Sequence, residues 1–132
     1  MTMAQKEIEV ILTRQLASYL AMPIFIVDPD GSLIFYNEPA EAILGLRFDE
    51  TGEMPLAEWA TVFTPMDKTG TPIAPAALPL AMALGERRPA HGDFYIRGLD
   101  LVLRHIEVTA FPLIGQADRN LGAVALFWEV HS

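Results

Sequence analysis

Ile26-Val27-Asp28-Pro29-Asp30-Gly31-Ser32-Leu33-Ile34-Phe35-Tyr36-Asn37-Glu38-Pro39-Ala40-Glu41 holds a turn, parts of the strands beside it and a helix start in one run of residues. Asp28-Pro29-Asp30-Gly31 carries tight-turn chemistry: proline presets φ, an aspartate side chain bonds nearby amides, and glycine accepts a positive φ. The flanking runs Ile24-Phe25-Ile26-Val27 and Leu33-Ile34-Phe35-Tyr36 therefore pair as a hairpin, and the first has the unbroken apolar character of a strand buried on both faces. Asn37 falls where a helix N-cap belongs, Glu38 and Pro39 suit a first turn, and Gly45 marks a stop, which predicts a short helix over 38–44.

Toward the N-terminus, Thr2 to Leu20 predicts an amphipathic helix. Thr2-x-x-Gln5 is a capping-box pattern, Ile8, Ile11, Leu12, Gln15 and Tyr19 recur at helical spacing, and Pro23 ends the run. Toward the C-terminus, Leu46 to Pro75 is broken by Gly52, Pro55, Pro65, Gly70 and Pro72 and admits only short helical turns, for example around Leu56 to Val62. Pro79 opens a mostly apolar helix through Leu80, Met82, Ala83 and Leu84, closed by Gly85 and Pro89; with so little charge it must be largely buried. Three long antiparallel strands follow, Gly92 to Arg97, Leu101 to Phe111 and Leu121 to Val130, joined by Gly98-Leu99-Asp100 and by Gln116 to Asn120. There is no internal repeat, low-complexity tract or interdomain linker, and the order of elements is α+β, with the helices segregated between two halves of one sheet.

The chain has 132 residues, the size of one domain with one core, and 52% hydrophobic with 20% charged residues marks a folded globule. No apolar stretch approaches the roughly 20 residues that span a bilayer. The N-terminal Lys6, Glu7 and Glu9 interrupt any signal-peptide pattern, so a cytoplasmic location without membrane contact is expected. The absence of cysteine excludes disulfides, thiolate nucleophiles, iron-sulfur clusters and cysteine-based zinc sites. Seventeen acidic against nine basic residues leave a net charge of -8, which repels a phosphate backbone and argues against a nucleic-acid partner.

The opening stretch, continued to Leu44-Gly45, resembles the N-terminal signature of PAS domains. The second half is similar to the same family independently, through Gly70-Thr71-Pro72-Ile73, Leu78-Pro79-Leu80, Ala83-Leu84-Gly85, Gly98, Phe111-Pro112-Leu113 and Gly122-Ala123-Val124-Ala125-Leu126-Phe127. Each piece is common in many folds; their order is specific, and it spans about residues 20 to 130. The resemblance implies an α+β PAS fold: a five-stranded antiparallel sheet in the order 2-1-5-4-3, short helices on one face, and an N-terminal amphipathic helix. It divides the chain into a cap helix, 1–21, and the PAS domain proper, 22–132. It also implies a sensor and dimerisation module in signal transduction. Many members that drive an attached kinase or cyclase end in Asp-Ile/Val-Thr, where this chain has Glu129-Val130-His131, as expected of either a stand-alone sensor or an excised one.

Sheets of this family commonly enclose a small-molecule pocket. Inward positions that would line it are Phe25, Phe35, Leu80, Leu84, Phe94, Ile106, Val108, Val124 and Leu126, with Ala81, Ala110, Ala123 and Ala125 either leaving space or permitting close packing. Light-sensing flavin members and those with a thiol-linked chromophore need a cysteine, and one haem-binding type needs a histidine on the long helix, where residues 76 to 87 have none. No cofactor is assigned. Pairing 91 with 107 and 93 with 105 would cluster His91, Asp93, His105 and Glu107 on one face, a set with metal-ligand character; solvated cross-strand pairing is the preferred reading and no metal is assigned. Asn37 and Asp28 are read as helix cap and turn anchor. No nucleophile triad, phosphate loop or paired-carboxylate motif is present, so no enzyme activity is expected. The N-terminal stripe requires burial, and in PAS proteins such a helix often covers the outer sheet face and forms a dimer contact. A homodimer is thus expected through Ile8, Ile11, Leu12 and Tyr19 with Thr109, Phe111 and Phe127 as the outward sheet surface. The alternative is a ligand-free interaction scaffold of the same fold, and a third reading is a small enzyme of similar shape.

Overall fold

Asp28 accepts hydrogen bonds from the amides of Asp30 and Ser32 at 2.9 and 3.0 Å, and Gly31 takes φ +86°, so the turn closes through the residues that predicted it. It joins β1 (Ile24–Val27) to β2 (Leu33–Tyr36) in a computed structural model that describes residues 8–130. The capping box at Thr2 and Gln5 lies outside the described residues. Before the hairpin comes α1 (Ile8–Tyr19); after it come α2 (Glu38–Leu44), α3 (Phe48–Thr51), α4 (Leu56–Val62) and α5 (Pro79–Glu86). The chain then forms β3 (Ala90–Arg97), β4 (Leu103–Ile114) and β5 (Asn120–Glu129). All pairings are antiparallel and the sheet order is β2-β1-β5-β4-β3, the α+β arrangement that the sequence implied.

Two apolar clusters sit on opposite faces of this sheet. On one, Phe25, Leu33, Tyr36, Ile106, Val108 and Phe127 pack with Leu44 of α2, Trp59 of α4 and Leu80 and Ala83 of α5. On the other, Ile24, Ile26, Ile34, Leu121 and Val124 pack with Val10 and Ala17 of α1. Ala110 and Ala123 are wholly buried on the first face, where small side chains let α5 approach the sheet.

Three expectations are corrected by this geometry. First, β1 and β2 pair as Phe25 with Tyr36, Ile26 with Phe35 and Val27 with Leu33, which leaves Ile34 as the extra residue of a bulge. The bulge reverses the alternation after Leu33, so Phe35 points to the α1 side and Tyr36 to the helix-covered side. Second, β5 sits one residue out of the expected parity: Val108 faces Phe127 and Phe25 faces Ala125 across the strands. Val124 and Leu126 therefore lie against α1, and Phe127, expected outward, is in the helix-covered core.

Third, α1 rests on the sheet through Val10 and Ala17, with the Arg14 guanidinium 4.9 Å from the Phe35 ring centroid. The stripe of Ile8, Ile11, Leu12 and Tyr19, expected to be covered by the sheet, is exposed. Apolar residues occupy so much of this helix that spacing alone does not choose the buried side. Val10 and the small Ala17 give the closer approach, and the Ala17 carbonyl is fixed by a bond from Asn37.

Candidate functional site

A cavity of about 60 Å³ lies between the sheet and the short helices. Phe25, Leu80, Phe94, Ile106 and Val108, all expected at such a pocket, line it. Leu84 packs against the surrounding core, while Phe35, Val124 and Leu126 are on the far face for the reasons of register given above. Sequence reasoning missed Leu44, Trp59, Phe63 and Phe127, and also Pro65, Leu78, Pro79 and Ile96; Ala125, read as a small residue that could leave space, lines the cavity too. Trp59 and Phe63 lie in the stretch where glycine and proline erase periodicity, and their signal was that they are large aromatics in, or just after, the short helical turn read around Leu56 to Val62.

The wall is aromatic and aliphatic. Phe25 meets Trp59 edge-on, with ring centroids 5.0 Å apart and planes at 67°, and Phe63 edge-on at 6.3 Å. Polar atoms near it are already engaged. The Trp59 indole N–H donates to the Gly31 carbonyl at 2.9 Å, and the Tyr36 hydroxyl donates to the Leu46 carbonyl at 2.8 Å, with Thr51 Oγ1 at 3.3 Å. Burial pushes the Tyr36 hydroxyl above its ordinary pKa, against the opposing pull of the Thr51 contact. Among the described residues, no buried side-chain nitrogen or oxygen lacks a partner.

Asn37 is 2% exposed and joins three elements. Its Oδ1 accepts from the Ala40 amide at 3.2 Å, capping α2, and from the Ile24 amide at 2.9 Å, at the start of β1. Its Nδ2 donates to the carbonyls of Ala17 and Met22, both at 2.9 Å, fixing the end of α1 and the segment that follows it. The cap was legible from sequence; the bridge to α1 was not.

On the outer face, the β3–β4 register pairs His91 with Thr109, Asp93 with Glu107 and Tyr95 with His105. That is two residues from the expected pairing, because the connecting turn extends to Val102 and not to Asp100, with Leu101 at φ +66°. The ionisable groups share a face but separate into local contacts: His105 Nε2 lies 2.7 Å from Asp93 Oδ2 and stacks on Tyr95, and His91 Nδ1 lies 2.9 Å from Thr109 Oγ1. Among the described residues, no group of three or more histidines and carboxylates could hold a metal. None of the described helices is long and apolar enough to cross a membrane.

The sheet order, the short helices on one face and α1 on the other define a PAS fold. Solved structures agree along nearly the whole chain. The PAS domain of a protein from Colwellia psychrerythraea superposes with a TM-score of 0.65 at 15% identity, covering 92% of this chain and 96% of that one. The PAS domain of nitrogen regulation protein NR(II) from Vibrio parahaemolyticus gives 0.63 at 17%, over 90% and 98%. The Rhodobacter sphaeroides LOV protein gives 0.74 at 13%, over 95% of this chain and 69% of that one. No protein-family model matches the chain, and no curated protein matches it at a significant level.

Proposed function

We propose that this chain is a sensory and dimerisation module that couples its helix-covered core to the placement of α1, and through α1 to the geometry of a homodimer. The observation that carries this reading is the double face of α1. One side is seated on its own sheet, while Ile8, Leu12 and Tyr19 are 66%, 55% and 86% exposed on the other. An apolar stripe left bare on a helix calls for a partner, and a second copy supplies the same stripe across a two-fold axis. Asn37 supports the coupling, since it ties α1 to β1 and to α2, whose Leu44 lines the cavity.

The fold neighbours add an analogy: one is part of a nitrogen regulation protein and another is a LOV protein. In this reading residues 1–21 form the cap that dimerises, residues 22–132 form the sensor, and the protein works in the cytoplasm without catalysing a reaction. Phe111 lies under α1 and supports it from below, so the dimer contact is carried by Ile8, Ile11, Leu12 and Tyr19.

Sedimentation across a concentration series tests this. The expected result is a dimer that Ile11→Glu together with Leu12→Glu converts to monomer without loss of circular-dichroism signal. A chain that stays monomeric at all concentrations, or a dimer indifferent to these changes, overturns the reading. A dimer whose geometry, followed by cross-linking along α1, never responds to any small molecule favours a ligand-free scaffold.

A further inference from the structure

We infer that the guest admitted to the cavity is a small, uncharged, apolar molecule, of the size of xenon or a very short hydrocarbon, and neither a flavin nor a haem. The inference rests on the sensory reading and specifies its ligand. Pockets for drug-sized molecules run to roughly 300–1,000 Å³, and this one has about 60 Å³. An engineered apolar cavity of about 150 Å³ in another protein stays dry and takes benzene or xenon. The present cavity suits a guest smaller than benzene.

The wall is built of Phe25, Trp59, Phe63, Leu80, Ile106 and Val108 together with other apolar side chains, and the indole N–H faces the Gly31 carbonyl. Tyr36, in the same apolar cluster as the wall, has its hydroxyl bonded to the Leu46 carbonyl. A guest with a hydrogen-bonding group turned toward this wall would lose water contacts there and gain none, and a charge would lose more. A guest without such groups loses nothing and gains dispersion contacts with five aromatic rings, Phe25, Trp59, Phe63, Phe94 and Phe127. The flavin ring system needs polar partners along its edge and haem needs an axial ligand, and none of the lining residues offers either.

Xenon is the probe. Titrating dissolved xenon into the full chain, followed by methyl and amide chemical shifts, is expected to give saturable shifts centred on Leu80, Ile106 and Val108. Ala125→Leu, which fills the cavity from β5, is expected to weaken xenon binding at least tenfold while circular dichroism stays native. Should that variant fail to fold, Ala125→Val is expected to weaken it by a smaller, measurable factor. Absence of saturable shifts in the unaltered chain, or undiminished binding in a folded filled variant, overturns the inference. So does a polar or charged molecule retained in the cavity by protein from its own host, although that result leaves the sensory reading standing. Xenon binding in a chain that never dimerises sinks the sensory reading and leaves the cavity's preference intact.

Discussion

The Asn37 side chain makes four hydrogen bonds: it accepts from the buried amides of Ile24 and Ala40, and it donates to the carbonyls of Met22 and Ala17, the last of which also accepts from the Leu20 amide. Removing a cap of this kind costs about 1 kcal/mol, and each buried group left without a partner adds about 1–3 kcal/mol. Asn37→Ala is therefore expected to lower stability in urea denaturation by about 3 kcal/mol, with amide exchange in α1 accelerating before exchange in the sheet. A second contact makes a pH prediction. Arg104 reaches Asp100 through two nitrogens, at 3.1 and 2.8 Å, and also donates to the Ile43 carbonyl at 3.0 Å. The bond from Arg104 holds the Asp100 carboxyl below its ordinary value of 3.8. A carboxyl lowered on folding stabilises the fold above its unfolded pKa, and that contribution disappears as pH falls through the folded pKa. Asp100→Asn is expected to melt earlier than the parent at neutral pH, and the gap to close on acidification below 3.8; a gap that persists or widens there refutes the assignment.

Among the elements, β5 depends most on a single position. A Cβ at Gly122 would stand 2.0 Å from the Val27 carbonyl oxygen, and the backbone there has φ +124°. Gly122→Ala is expected to break the β1–β5 pairing and to yield either no folded protein or one destabilised by at least about 3 kcal/mol in thermal or chemical denaturation. The same strand shows where sequence stops informing. The helix 38–44, the Asp28 turn and the strand order were legible because capping, turn chemistry and family resemblance each point one way. The facing of β5 was not: Ala123, Val124, Ala125, Leu126 and Phe127 are apolar on both sides, so alternation carries no sign, and only pairing with β1 and β4 decides it. Phe35 was misplaced because the extra residue of a bulge leaves no mark in an apolar run such as Leu33-Ile34-Phe35-Tyr36.

For the whole molecule, charge and apolar surface pull against each other. Each copy carries -8, so a homodimer joins two bodies that repel at long range while their α1 stripes attract at contact. Raising the salt from low ionic strength to about 0.5 M shortens the screening length to a few ångströms, and dimer affinity measured by sedimentation is expected to rise with it. Affinity that falls with salt would point to an interface made of ion pairs. The cavity belongs to this scale as well, since its wall is drawn from four strands and the helices that cover them, and no single segment announces it. Ala125 holds one side of that space open with a methyl group. A valine codon is one nucleotide away from any alanine codon. A lineage carrying this gene therefore stands a single mutational step from a smaller chamber, and the guest can be narrowed or lost while the backbone that surrounds it is inherited unchanged.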